Sequence, residues 1–120
     1  METLPTADVC VLGGGPAGRA SIAFRLEGFS IRLIESAVPP IDKACRESLM
    51  PDSLRALREL GVSIPENAGF PYQGVRFADG RSSVVADFPH ETGMGLRRTV
   101  LHKLLVHRAR GARSWFCIGV

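Results

Sequence analysis

The 120-residue sequence predicts an α/β fold, and three observations carry that prediction. A short apolar run, Asp8-Val9-Cys10-Val11-Leu12, ends abruptly in three glycines. A helix-like stretch from Pro16 to Glu27 follows. A second apolar run, Ser30-Ile31-Arg32-Leu33-Ile34-Glu35, completes the pattern. Strand, helix and strand in that order make a Rossmann-like βαβ unit on a parallel sheet, with the handedness of the crossover fixed.

Val9 to Leu12 shows no alternation, as expected of a strand buried on both faces. In the helix, Ala17, Ala20 and Phe24 recur at i, i+3 and i+7 with Ala23 beside them. They are expected to face the sheet, leaving Arg19, Arg25 and Glu27 in water. Gly28 is a natural C-terminal stop. Pro39-Pro40 excludes regular structure between Ser36 and Met50, which predicts a long loop of the kind that usually has a task. Pro51-Asp52-Ser53 opens a short helix with Leu54, Leu57 and Leu60 inward, closed by Gly61. Gly74-Val75-Arg76-Phe77 and Ser83-Val84-Val85-Ala86 flank Asp79-Gly80, the signal of an inserted β-hairpin. A third helix is expected from about Thr99 to Arg110, striped by Val100, Leu101, Leu104 and Leu105, and Trp115 to Val120 reads as one more strand.

Hydrophobic residues make up 45% and charged residues 22%, ordinary for a soluble globular chain. Much of the net charge of +3 comes from Arg97, Arg98, Lys103, Arg108, Arg110 and Arg113. No aromatic residues interleave with them as a nucleic-acid groove requires, so a small phosphorylated cofactor is the expected anionic partner. Cys10, Cys45 and Cys117 are odd in number and form no C-x-x-C, which argues against a disulfide framework or a zinc site and fits a reducing cytoplasm. Cys10 and Cys117 are expected to be packed thiols and Cys45 an inert one. His90, His102 and His107 form no metal-like cluster and are expected to be surface or packing residues. No apolar run is long enough for a signal sequence or a membrane span.

The chemistry sits in Gly13-Gly14-Gly15-Pro16-Ala17-Gly18, a G-x-G-x-x-G turn through Gly13, Gly15 and Gly18. Gly13 lets the chain turn off the strand, Gly15 lets backbone amides approach a pyrophosphate, and Gly18 lets the helix pack on the sheet. The amides and positive end of the helix that follows attract the phosphates, and Pro16 costs little where its missing N–H had no partner. Glu35 ends the next strand 22 residues after Gly13. That is close to the spacing of about 20 for a carboxylate that accepts from the hydroxyls of an adenosine ribose. The pattern is that of a dinucleotide site, and by itself it admits FAD or NAD; Glu35 would repel the 2′-phosphate of NADP.

Three segments resemble a known family. Val9 to Glu35 is the first. The second, Asp42-Lys43-Ala44-Cys45-Arg46-Glu47-Ser48-Leu49-Met50-Pro51, resembles a "D-K-x-C-G-E-x-L-x-P" loop that lies along a flavin's phosphate and ribityl region. The third, Gly95-Leu96-Arg97-Arg98-Thr99-Val100-Leu101, is similar to a "G-x-x-R-x-x-L/F-D" helix start whose Arg contacts FAD. The family is the FAD-dependent monooxygenase, halogenase and geranylgeranyl-reductase group with the para-hydroxybenzoate hydroxylase fold. The resemblance covers roughly residues 7–110. It implies FAD as cofactor, held by Gly13, Gly15, Pro16, Ala17, Gly18, Glu35, Lys43, Arg46 and Arg98, with Arg97 as the alternative to Arg98. It also implies a small-molecule substrate and NAD(P)H as partners of a full-length enzyme. Three positions depart from the pattern: Arg46 stands where Gly is common, Arg19 where a small residue is usual, and His102 where Asp is usual.

Family members continue for a few hundred residues more, so residues 1–120 are expected to form part of an FAD-binding domain with the substrate domain absent. No catalytic acid or base is assigned. The expected function is that of an FAD-binding oxidoreductase module, and the alternatives are a truncated, non-catalytic dinucleotide-binding fragment or an NAD-binding module.

Overall fold

A computed structural model describes residues 6–38, 40–43, 47–110 and 115–119, the last by backbone alone. β1 (Val9–Leu12) and β2 (Ile31–Glu35) run parallel, with Val9 opposite Ile31 and Leu12 opposite Ile34. β8 (Trp115–Gly119) lies parallel along the other edge of β2, giving a three-stranded sheet in the order β1-β2-β8. Asp8 pins the entrance to this sheet: its Oδ2 accepts from the Ser30 amide at 2.8 Å and the Ser30 hydroxyl at 2.6 Å. Those bonds hold its carboxyl below the usual carboxylate range.

Between β1 and β2 the chain forms α1 (Pro16–Arg19) and α2 (Ile22–Leu26), broken at Ala20-Ser21. The helical face differs from the expected one. Arg19 and Ile22 are buried, each 1% exposed, while Ala17, Ala20 and Ala23 are exposed and Phe24 is 50% exposed. The reason is Gly18. Its Cα approaches the Gly13 carbonyl so closely that a Cβ would collide with it, and this contact fixes which side of α1 meets the strand. The apolar stripe, although wider, is turned away.

β1 also departs from the expectation of burial on both faces. Its residues alternate, with Cys10 exposed rather than packed and Leu12 79% exposed. The helices cover one face of β1, and no described residue covers the other. Cys45 and the side chain of Cys117 lie outside the described residues.

The segment between β2 and β8 builds a second body. β3 (Ser48–Leu49) leads into α3 (Pro51–Glu59), then a 3-10 turn at Glu66–Ala68 and β4 (Phe70–Tyr72). β5 (Gly74–Ala78) and β6 (Ser83–Asp87) form the expected hairpin, closed by Asp79 Oδ1 accepting from the amides of Arg81 and Ser82 at 2.9 and 2.8 Å. β7 (Gly93–Gly95) then pairs antiparallel with both β3 and β4, and α4 (Arg98–Arg110) returns toward the parallel sheet. The expected loop thus contains one short strand at its end.

A small core joins α3 to α4. Leu57, Val62 and Leu105 are buried, with Leu49, Leu60, Ile64, Leu101 and Leu104 packed around them. Arg108 Nε donates to the Leu60 carbonyl at 2.9 Å, satisfying an orphan acceptor at the end of α3. The buried positions of α4 are His102, Leu105 and Ala109, so its inner face is turned toward α1 compared with the expected leucine stripe. Among the described residues, no helix is long and apolar enough to cross a membrane.

Candidate functional site: the glycine turn

The Gly13 amide extends the sheet by one bond to the Ile34 carbonyl at 2.8 Å, and its φ of 98° lies in the left-handed region open to glycine. Gly15 is the N-cap of α1 and Pro16 its first residue. The amides of Ala17 and Gly18 fall in the first turn, where a helix offers no acceptor. With only four residues, α1 has little macrodipole. The attraction an anion feels here comes from those amides and nearby cations rather than from the helix as a whole.

Glu35 closes one side. Its Oε2 accepts from the Gly14 amide at 2.6 Å, and its Oε1 from the Ala37 amide at 3.0 Å and the Ser36 hydroxyl at 3.4 Å. The Ala37 and Gly14 amides hold its carboxyl below the usual range, so it is ionised at neutral pH. A carboxylate has about four acceptor positions, so capacity remains for a hydroxyl-bearing ligand.

Arg98 closes the other side. It is the first residue of α4, and its amide donates to Glu47 Oε1 at 3.2 Å. The Glu47 carbonyl accepts from the Leu96 amide at 2.8 Å, so Glu47 fastens the preceding loop to the start of α4. The Arg98 guanidinium reaches back to the turn: Nη2 lies 3.6 Å from where a Cβ on Gly15 would stand. Its Nε is buried with no hydrogen-bond partner among the described residues. A buried charged donor without a partner is costly, and an anion between Gly15 and Arg98 would relieve that cost. Arg97 is exposed. Lys43 is exposed and has no hydrogen-bond or ion-pair partner among the described residues, and Arg46 lies outside them.

Beneath the turn lies a cluster that the sequence did not signal. Arg19 and His102, 83 residues apart, are each 1% exposed. The Ile41 amide points at His102 Nδ1 at 2.7 Å, and His102 Nε2 stands 2.7 Å from the Gly14 carbonyl. A backbone N–H can only donate, so Nδ1 carries no proton and the neutral ring is protonated on Nε2, which donates to Gly14. Arg19 Nε donates to the same carbonyl at 2.9 Å. The 2.8 Å approach of Arg19 Nε to His102 Nε2 is therefore two donors converging on one acceptor. Burial, with the charges of Arg19 and Arg98, outweighs the Gly14 bond and holds the ring's pKa below 6.5. Two of the three departures from the family pattern thus meet in one cluster.

No protein-family model matches the chain. Proteins named menaquinone reductase are similar to it: that of Mycobacterium tuberculosis (strain H37Rv) is 33% identical over 90 residues, 74% of this chain and 22% of the relative. That of Mycolicibacterium smegmatis is 32% identical over 84 residues, 69% of this chain and 20% of the relative. The chain thus spans about a fifth of the length of the curated relatives it matches. Among solved structures, PqsL, a probable FAD-dependent monooxygenase from Pseudomonas aeruginosa, superposes with a TM-score of 0.75 at 14% identity, over 94% of this chain and 32% of its own. The myxobacterial FAD-dependent halogenase CndH gives 0.79 at 18% identity, over 92% and 28%. The oxygenase acting on 2-methyl-3-hydroxypyridine-5-carboxylic acid gives 0.72 at 26% identity, over 91% and 30%. The chain has the fold of these FAD-dependent monooxygenases and this halogenase, in keeping with its resemblance to the para-hydroxybenzoate hydroxylase group, and it covers about a third of the length of these solved structures.

Proposed function

We propose that the chain is an FAD-binding module of a flavin-dependent oxidoreductase, with residues 1–120 forming part of the FAD-binding domain and none of the substrate domain. One observation carries this reading. The bare edge of Gly15 faces the Arg98 guanidinium across a gap, with Nη2 3.6 Å from where a Cβ would stand, and the ionised Glu35 carboxylate is held beside it by the Gly14 amide. In that gap Gly15, Pro16, Ala17 and Gly18 offer backbone to a pyrophosphate, Arg98 adds charge, and Glu35 accepts from the adenosine ribose. Lys43 and Arg46 would add positive charge along the loop. When bound, the flavin supplies the redox chemistry. The protein's part is to hold the ADP end and orient the rest.

Of hydroxylation, halogenation and reduction, reduction is favoured. The menaquinone reductases share 32–33% identity with the chain, against 14–26% for the oxygenases and halogenase compared above. A quinone-type substrate and NAD(P)H are the corresponding partners of the whole enzyme. The test is spectroscopic. The purified chain, titrated with FAD, NAD and ADP, is expected to bind FAD with quenching of flavin fluorescence and to release it to excess ADP. Arg98→Met is expected to weaken FAD binding roughly 10- to 100-fold, the value of a charge-assisted hydrogen bond. A protein that binds NAD and ignores FAD would show the cofactor assignment to be wrong.

A further inference from the structure

We propose that Arg19 and His102 are positioning residues of the cofactor site: they hold the Gly14 carbonyl from below and, through the Ile41 amide, lock the loop after β2 to the glycine turn. This deepens the FAD-binding reading and rests on it. The geometry is specific. Both peptide groups that meet at Gly14 are engaged: the Gly13–Gly14 peptide donates its N–H to Glu35, and the carbonyl of the Gly14–Gly15 peptide accepts from Arg19 and His102. The Gly14 carbonyl shares its peptide plane with the Gly15 N–H, so holding the one fixes the direction of the other toward the gap beneath Arg98. His102 Nδ1 meanwhile takes the amide of Ile41, which is 8% exposed, so the same imidazole ties α4, the turn and the loop.

The bridge requires a neutral ring. A proton on Nδ1 would face the Ile41 N–H, donor against donor, and would break that bond. The charged groups around the ring are Arg19 from α1, Arg98 from α4 itself and Glu35 from the end of β2. The two arginines oppose its protonation and Glu35 favours it. The unfolded ring accepts a proton near pH 6.5 and the folded ring only below that, so stability is full above 6.5 and falls as pH drops toward the folded value. A bound pyrophosphate acts oppositely, since its charge would tighten binding as the ring becomes cationic. Loss of affinity on acidification therefore reports the broken bridge rather than simple attraction.

The experiment uses the full chain, wild type and with His102→Asn, His102→Gln and His102→Ala. Asparagine offers an oxygen near Nδ1 for the Ile41 amide and does not titrate; glutamine offers an N–H near Nε2. FAD dissociation constants are measured by flavin fluorescence from pH 8 to pH 5, a range in which Glu35 stays ionised. The wild type is expected to weaken on the acid side by up to about tenfold per pH unit. Asn is expected to bind with a pH-independent constant between those of wild type and Ala. Matching pH profiles for wild type and Asn overturn the proposal, as does full affinity in Ala. In the unliganded protein, ring nitrogen shifts should show the Nε2-protonated form, and the melting temperature should fall below pH 6.5 in the wild type alone. A ring protonated on Nδ1 overturns the bridge by itself. Failure of wild type to bind FAD at any pH overturns instead the reading on which the positioning role rests, and the unliganded shifts and melting curves still decide the bridge.

Discussion

Gly15 and Gly18 stand three positions apart and respond to a side chain in opposite ways. At Gly18 a Cβ meets the Gly13 carbonyl oxygen, a backbone atom that cannot yield without moving the end of β1. At Gly15 the nearest atom is Arg98 Nη2 at 3.6 Å, ordinary contact with the end of a flexible side chain, and φ is −68°. Gly18→Ala is therefore expected to destabilise the fold by about 1–3 kcal/mol, as overpacking does, read as a lowered denaturant midpoint at unchanged slope. An unchanged midpoint would mean that α1 does not seat against β1 as described. The pH behaviour of Glu35 belongs to the same scale. Its bonds to Gly14 and Ala37 contribute fully above about 4.5 and are lost as pH falls through the lowered folded value.

At the scale of elements, α4 is the part that brings distant residues to the turn, and Leu105 anchors it. Leu105 is 2% exposed in the cluster with Leu57 and Val62. Leu105→Ala is expected to cost about 2–5 kcal/mol and to weaken flavin binding in parallel, because Arg98 and His102 ride on the same helix. A stability loss in that range with affinity unchanged would separate α4 from the site. What could be read in the sequence follows the same division. β1, β2, the hairpin and α4 were legible because each has a periodic or abruptly bounded pattern. β3, β4 and β7 have two or three residues apiece, with Pro71, Gly93 and Gly95 among them, too short for any period to show. The inner face of α1 is not legible in the sequence because one backbone contact at Gly18 outweighs a stripe of alanines. Glu35 could be found by its distance from Gly13, and Arg98 by resemblance to the helix-start motif. Arg19, His102 and Ile41 meet only through the fold, and no local pattern announces such a cluster.

Across the whole molecule, the radius of gyration is 17.2 Å, against about 14 Å for a compact chain of this length. The long axis of 64 Å and the exposure of Phe77, Val84 and Val85 on the hairpin and Leu12 on β1 express the same extension. The site does not depend on that extension. It is assembled where β1, β2, α1 and the start of α4 meet, so the 120-residue chain contains the turn, the carboxylate and the arginine together. The most direct measurement is an equilibrium FAD titration of wild type and Gly15→Ala side by side, each first shown to melt at the same temperature. The expected result is a saturable flavin signal in the wild type and an affinity at least about tenfold weaker in the variant, since the new methyl fills the gap between the turn and Arg98. Equal affinity in two equally stable proteins would contradict a pyrophosphate at Gly15, and with it the cofactor site itself.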